Sequence, residues 1–265
     1  HRLVLEQEAM GAPDIDGKIA LEKKLAVLQE QKRKDPGGAA EAWARIASLS
    51  SGDESAIQTA VKFFEKAERL SDAADVIAEN VSAIEAAETR SSLLGKLGEL
   101  RQKMGDQGLA ADAFAEAAEI GAEAKDEGAD KRTRELWERA ERAYVASERF
   151  VEAANATAQQ AKSVKEDKAL VELLSRAAGY FERSGDPGGA VEKITEACKI
   201  LPEDESLAAR AEELFRAADR LADLATFLAE RASKASAPAQ RTKSRFRAVA
   251  LWKELGDVDA AAREQ

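Results

Sequence analysis

From Leu170 to Pro202 the apolar positions recur at helical spacing and break once. Leu170, Leu174, Ala177, Ala178 and Phe181 share one helical face. Ser184-Gly185-Asp186-Pro187 then interrupts the pattern. Gly185 suits the left-handed residue that ends a helix. Asp186 caps the next helix, and Pro187 fits its first turn, where no N–H is required. Ala190, Val191, Ile194 and Ala197 mark a second helix, which Pro202 closes. The stretch predicts one helical hairpin of about 34 residues, the length of a repeat unit.

The hairpin recurs. Taking Ala190 as an index, equivalent residues are Ala39, Ala73, Ala110, Ala153, Leu224 and Ala261, and successive spacings are 34, 37, 43, 37, 34 and 37. Nine residues before the index stand Phe64, Tyr144, Phe181, Phe215 and Trp252. Four residues after it come Trp43, Ile77, Phe114, Thr157, Ile194 and Leu228. Gly-Asp recurs at the turn as Gly105-Asp106, Gly185-Asp186 and Gly256-Asp257. The expected repeats cover about 18–51, 52–87, 88–124, 131–165, 166–202, 203–236 and 237–265, the last truncated. Residues 1–17 read as part of a preceding helix or as a cap. The first helix of repeat one is out of register, with Glu30 where an aromatic is expected. The 43-residue spacing is expected to lengthen helices around a polar loop. Asn80, Gln160 and Arg231 stand where alanine is expected seven residues after the index, so the repeats read as degenerate.

These hairpins resemble tetratricopeptide (TPR) repeats. The resemblance covers nearly the whole chain and rests on Ala178, Phe181, Gly185-Asp186, Ala190, Ile194, Ala197 and Pro202 with their equivalents. It implies an all-α, right-handed solenoid of antiparallel helix pairs with about seven repeats. Related helical-hairpin solenoids stay open as family names.

Composition supports the helical reading. The chain is 45% hydrophobic but 5% aromatic, with alanine dominating the apolar set. Helices of that composition approach closely through small side chains. Segments that alternate β-branched and polar residues are scarce, so strands are not expected. No run of about 18 apolar residues is present, so no membrane span is expected. No signal-peptide apolar region is seen either, and the expected location is cytoplasmic. The chain begins at His1 and ends inside a repeat, so it reads as a fragment.

Charge and side-chain inventory narrow the function. A formal net charge of −10 argues against nonspecific nucleic-acid binding, which depends on Lys and Arg neutralising phosphates. His1 is the only histidine, so no Ser-His or Cys-His pair can activate a nucleophile. Cys198 is the only cysteine and reads as a small packing residue. No Cys/His cluster has metal spacing. Gly37-Gly38 and Gly188-Gly189 each follow Asp-Pro at a helix start, not a strand, and no Gly-Lys-Ser/Thr follows, so a phosphate loop is not expected. The expectation is a noncatalytic chain with no cofactor and no metal.

What remains is binding. In the TPR family the first helices line a concave groove that holds a peptide or partner helix. Carried across, that register presents Lys62, Lys66, Glu99, Lys103, Glu138, Arg142, Glu182, Arg183, Arg216 and Phe246 as candidate groove residues. Ordinary solvated helix surface accounts for the same residues. A chaperone-type carboxylate clamp is not expected, because Asn80 and Asn155 both fall on second helices. The resemblance thus implies a protein–protein interaction scaffold. The alternative is a regulatory or spacer segment of a larger protein whose activity lies outside this stretch.

Overall fold

The computed structural model describes residue 8, residues 14–124 and residues 128–263. Most of the expected 1–17 segment lies outside the described residues. Among the described residues there are fourteen α-helices and no strand. They form two compact units, His1–Ser147 and Glu148–Gln265.

The first unit holds α1 (Ile15–Val27), α2 (Pro36–Leu49), α3 (Glu54–Lys66), α4 (Leu70–Asn80), α5 (Ala87–Met104), α6 (Gln107–Gly121) and α7 (Ala129–Ala146). The second holds α8 (Phe150–Ala161), α9 (Asp167–Arg183), α10 (Pro187–Ile200), α11 (Glu205–Ala217), α12 (Leu221–Lys234), α13 (Pro238–Glu254) and α14 (Val258–Arg263). Along the chain, odd-numbered helices are the first and even-numbered helices the second of each hairpin pattern, and within the units α1–α2, α3–α4, α5–α6, α9–α10, α11–α12 and α13–α14 pack together. Within each unit, helices pack chiefly on their neighbours in the chain, as in a quasi-one-dimensional array.

Small residues set the approach of the helices. Ala39, Ala73 and Ala110 in the first unit, and Ala153 and Ala190 in the second, are fully buried. Larger side chains fill the space around them: Ile57, Phe64, Ile77 and Leu94 in the first unit, Leu174, Phe181, Ile194 and Phe215 in the second. Leu224 occupies the index position of α12 and is also fully buried. Gly98 makes the closest approach: a Cβ there would stand 2.5 Å from the ring of Phe114, itself fully buried on α6.

The turns within hairpins are of two kinds, and the kinds alternate. The first, third, fifth and seventh hairpins put Lys34, Gly105, Gly185 or Gly256 in the left-handed region, each followed by Asp. Asp35, Asp186 and Asp257 accept a hydrogen bond from the backbone N–H three residues on, at 2.8–2.9 Å. The second, fourth and sixth hairpins put Glu68, Glu148 or Asp219 in that region instead, each followed by Arg. Arg69, Arg149 and Arg220 then pair with a carboxylate three residues on, namely Asp72, Glu152 and Asp223. Arg69 also reaches back to Glu41 on α2 at 2.7 Å and lies over the ring of Phe64.

The polar residues read as departures from the pattern belong to this alternation. Asn80, Gln160 and Arg231 all close even-numbered hairpins, and all three are buried. Asn80 donates to the carbonyl of Val76 at 2.8 Å. Arg231 donates to Glu205 Oε1 at 2.8 Å. The period is therefore two hairpins: the Asp residues that follow the left-handed residue, at 35, 106, 186 and 257, are separated by 71, 80 and 71 residues.

Two irregularities have local causes. Residues Leu28–Arg33 form a π-helical turn at the end of α1. The wider turn admits one extra residue, which puts Glu30 out of register and buries Gln29 in its place. The 43-residue spacing is taken up by α7, which runs 18 residues, and by the connection after Gly121, of which residues 125–127 lie outside the described ones.

Close approach at Gly98 makes a testable difference between two helical glycines. Gly98→Ala is expected to lower the urea midpoint, because overpacking costs about 1–3 kcal/mol and exceeds alanine's gain in helix propensity. Gly179→Ala, whose new Cβ would meet only the end of Arg210 at 3.4 Å, is expected to leave the midpoint unchanged or raise it. Equal shifts in both variants would contradict this packing.

Candidate functional site

The candidate groove residues all sit on first helices, six in the first unit and four in the second. Each lies on or beside the polar side of an amphipathic helix whose other side enters the core. On α3, Lys62 and Lys66 are exposed while Ile57, Ala60, Val61 and Phe64 are buried. Lys66 Nζ stands 6.0 Å from the ring centroid of Phe63. On α5, Glu99 is half-buried and Lys103 exposed. On α7, Glu138 is half-buried and Arg142 exposed, its Nε donating to the Glu138 carbonyl at 3.1 Å.

Ion pairs fix much of this surface in the first unit. Glu65 of α3 accepts from Lys96 at 2.9 Å and Lys103 at 3.2 Å, both on α5. Glu99 accepts from Arg139 of α7 at 3.0 Å. Arg139 also stacks 4.3 Å from the ring centroid of Phe114. Burial pushes the Glu65 carboxyl up, and the hydrogen bonds and charges of the two lysines outweigh it, leaving its pKa below the ordinary carboxylate value. Lys103 is thus engaged at rest, whereas Lys62 and Lys66 project from α3. A cleft of about 420 Å³ lies between α5 and α7, lined by Ser91, Ser92, Gly95, Leu136 and the Lys96–Glu99–Arg139 cluster.

In the second unit, Glu182 of α9 accepts from Arg210 of α11 at 2.7 Å. Arg183, the last residue of α9, turns to α8 and lies 4.0 Å over the ring of Phe150. Arg216 is exposed on α11. Phe246 on α13 is 74% exposed. The register did not single out Glu205 or Glu212 on α11. Glu205 accepts from Arg231 at 2.8 Å and Lys243 at 3.2 Å, and the hydrogen bonds from Arg231 and Lys243 hold its pKa down. Glu212 is buried and pairs with Arg247 of α13, whose Nη1 donates at 2.6 Å. Burial pushes its carboxyl up, against the opposing charges of Arg247 and Arg216. The available signal was a carboxylate recurring on one first helix with a cation about 35 residues on.

The reactive inventory is small. Cys198 is buried, and burial pushes its thiol up to about 11, with Arg231 opposing and Asp204 adding to the shift. Such a thiol is almost wholly protonated at neutral pH and is a poor nucleophile. Among the described residues no group of three or more His, Cys, Asp or Glu is placed to hold a metal ion. No helix among them is long and apolar enough to cross a membrane.

No family model matches the chain. No curated protein matches it either. Solved structures do. The MamA protein is 13% identical with a TM-score of 0.38, over 69% of this chain and 91% of that one. YrrB, described as a TPR protein with an unusual peptide-binding site, is 18% identical with a TM-score of 0.37, over 80% and 100%. A tetratricopeptide repeat protein from Parabacteroides merdae is 10% identical with a TM-score of 0.37, over 92% and 90%.

The Glu212–Arg247 pair carries a pH signature. Removing the cation leaves a buried carboxylate without its partner, at a cost of about 1–3 kcal/mol. Because the folded-state pKa of Glu212 is raised, its favourable contribution is present at low pH and lost as pH rises through that value. Arg247→Ala is therefore expected to lower the urea midpoint at pH 7 and to lower it less at pH 5. Glu212→Gln is expected to show less pH dependence than Arg247→Ala. The same loss for Arg247→Ala at both pH values would contradict the assignment.

Proposed function

We propose that this chain is a noncatalytic protein-interaction array that binds a peptide or partner helix on the exposed side of its first helices. The observation that carries the reading is the division of labour on those helices. Their apolar sides are committed to the core, and their polar sides are ordered by ion pairs to the next first helix, as at Glu65–Lys96 and Glu182–Arg210. Exposed cations such as Lys62, Lys66, Arg142 and Arg216 are thereby presented on a rigid backing. Contacts of this kind steer encounter and select partners more than they add affinity. The buried thiol of Cys198 supports a noncatalytic role, and the net charge of −10 favours a protein partner over nucleic acid.

Capture of partners with the full chain, followed by lysine crosslinking and mass spectrometry, tests the proposal. Crosslinks are expected at Lys62 and Lys66, and capture is expected to fall when both are changed to Glu. Crosslinks confined to the second-helix residues Lys193 and Lys199, with capture unaffected by the Lys62→Glu, Lys66→Glu double variant, would overturn it.

A further inference from the structure

Charge runs one way along the first helices of each unit. In the first unit α3 supplies Glu65, and α5 meets it with Lys96 and Lys103. The same α5 supplies Glu88 and Glu99, and α7 meets them with Arg132 and Arg139. In the second unit Glu182 of α9 meets Arg210 of α11. Glu205 and Glu212 of α11 in turn meet Lys243 and Arg247 of α13. At each of these junctions the earlier helix presents carboxylates and the later one presents cations.

One flank of α13 departs from that order. Its side toward α11 carries Lys243 and Arg247, as the order requires. At about 100° per residue, Arg241, Arg245, Val249 and Lys253 fall on the opposite side, with Phe246 beside them. By the order of the other junctions this side would present carboxylates. It presents three cations around an aromatic ring and lines a trough of about 580 Å³. Phe246 is 74% exposed there. Arg241 donates to the carbonyl of Ala235 at 3.0 Å. Arg245 and Lys253 pair with no carboxylate among the described residues. In a chain of net charge −10 this is a concentrated basic and apolar strip.

We propose that this flank of α13 docks an acidic amphipathic helix of a partner protein. Apolar side chains of the partner cover Phe246, and its carboxylates meet Arg241, Arg245 and Lys253. Three cations and no carboxylate line the trough, so its charge selects an acidic occupant. Residues 241 to 253 rise about 18 Å along the helix, enough for some three turns of a partner laid alongside. The inference rests on the reading of the chain as a protein-binding array and narrows the partner's chemistry at one surface.

Fluorescence anisotropy with the full chain tests it. The probe is a labelled peptide of about five turns with Leu at i, i+3, i+4 and i+7 and Glu elsewhere. Its counterpart carries Lys for Glu. The acidic probe is expected to bind, to weaken as salt screens the charges, and to lose about tenfold or more in affinity with Phe246→Ser or with Arg245→Glu plus Lys253→Glu. The Lys probe is expected not to bind. Failure of the acidic probe to bind, or equal binding of the Lys probe, would overturn the inference. So would self-association of the parent that these variants abolish, since the occupant would then be a second copy. If the acidic probe binds but responds only to Lys62→Glu plus Lys66→Glu, the strip on α13 is not the site, while the first-helix reading stands.

Discussion

The distance between paired helices governs what the rest of this structure can do. With so few aromatic side chains, the chain has little bulk with which to fill space between helices. It closes that space by putting alanine at the index position of most second helices and glycine where α5 meets the ring of Phe114. Close backbones let modest side chains such as Ile57, Ile77 and Ile194 reach full burial. Dense packing makes each hairpin a stiff unit, because interiors at crystal-like density do not absorb a misplaced methyl group easily. Stiff hairpins in turn hold the first helices in fixed register with one another, and that register is what allows Glu65 to meet two lysines of α5 and Glu212 to meet Arg247.

The two-hairpin period gives this order a second level. Odd hairpins end their first helix on a left-handed Gly or Lys followed by Asp, and Asp35, Asp186 and Asp257 cap the next helix. Even hairpins use an acidic left-handed residue and an Arg clamp. An Arg clamp does more than a cap, since Arg69 ties its own helix start through Asp72 and the preceding hairpin through Glu41. A non-glycine residue at positive φ costs free energy, and Glu68, Glu148 and Asp219 bear that cost where the adjoining Arg makes up for it with charge-assisted hydrogen bonds. Individual exposed pairs contribute little. Their value here is directional: they distinguish one side of a hairpin from the other and set which surface meets which.

Much of the fold was legible because helical spacing, Gly-Asp turns and index alanines are local signals. The seven-hairpin order follows from them without reference to any partner. The π-helical turn at Leu28–Arg33 was visible only as a register error at Glu30, since nothing in the local sequence separates an inserted residue from a degenerate repeat. Asn80, Gln160 and Arg231 looked like decay of the pattern because a comparison at one-hairpin spacing mixes two classes of hairpin. At two-hairpin spacing they form a class of buried polar residues that close even hairpins. The candidate surface was less legible. A register names which side chains leave the core, but not that Lys103 and Glu182 are held by ion pairs or that Arg183 turns onto Phe150. Those outcomes depend on residues 28 to 40 positions away, beyond the reach of local pattern.

The central claim is that small index residues set the helix spacing on which the ordered surface depends. Comparing the urea unfolding midpoints of Ala190→Leu and Ala146→Leu tests it most directly, since both add the same side chain to a helix. Ala190 is fully buried on α10 and Ala146 is exposed at the end of α7. The account predicts a clear loss for Ala190→Leu, corresponding to about 1–3 kcal/mol, and a change below about 0.5 kcal/mol for Ala146→Leu. Midpoints that shift alike in the two variants would contradict it.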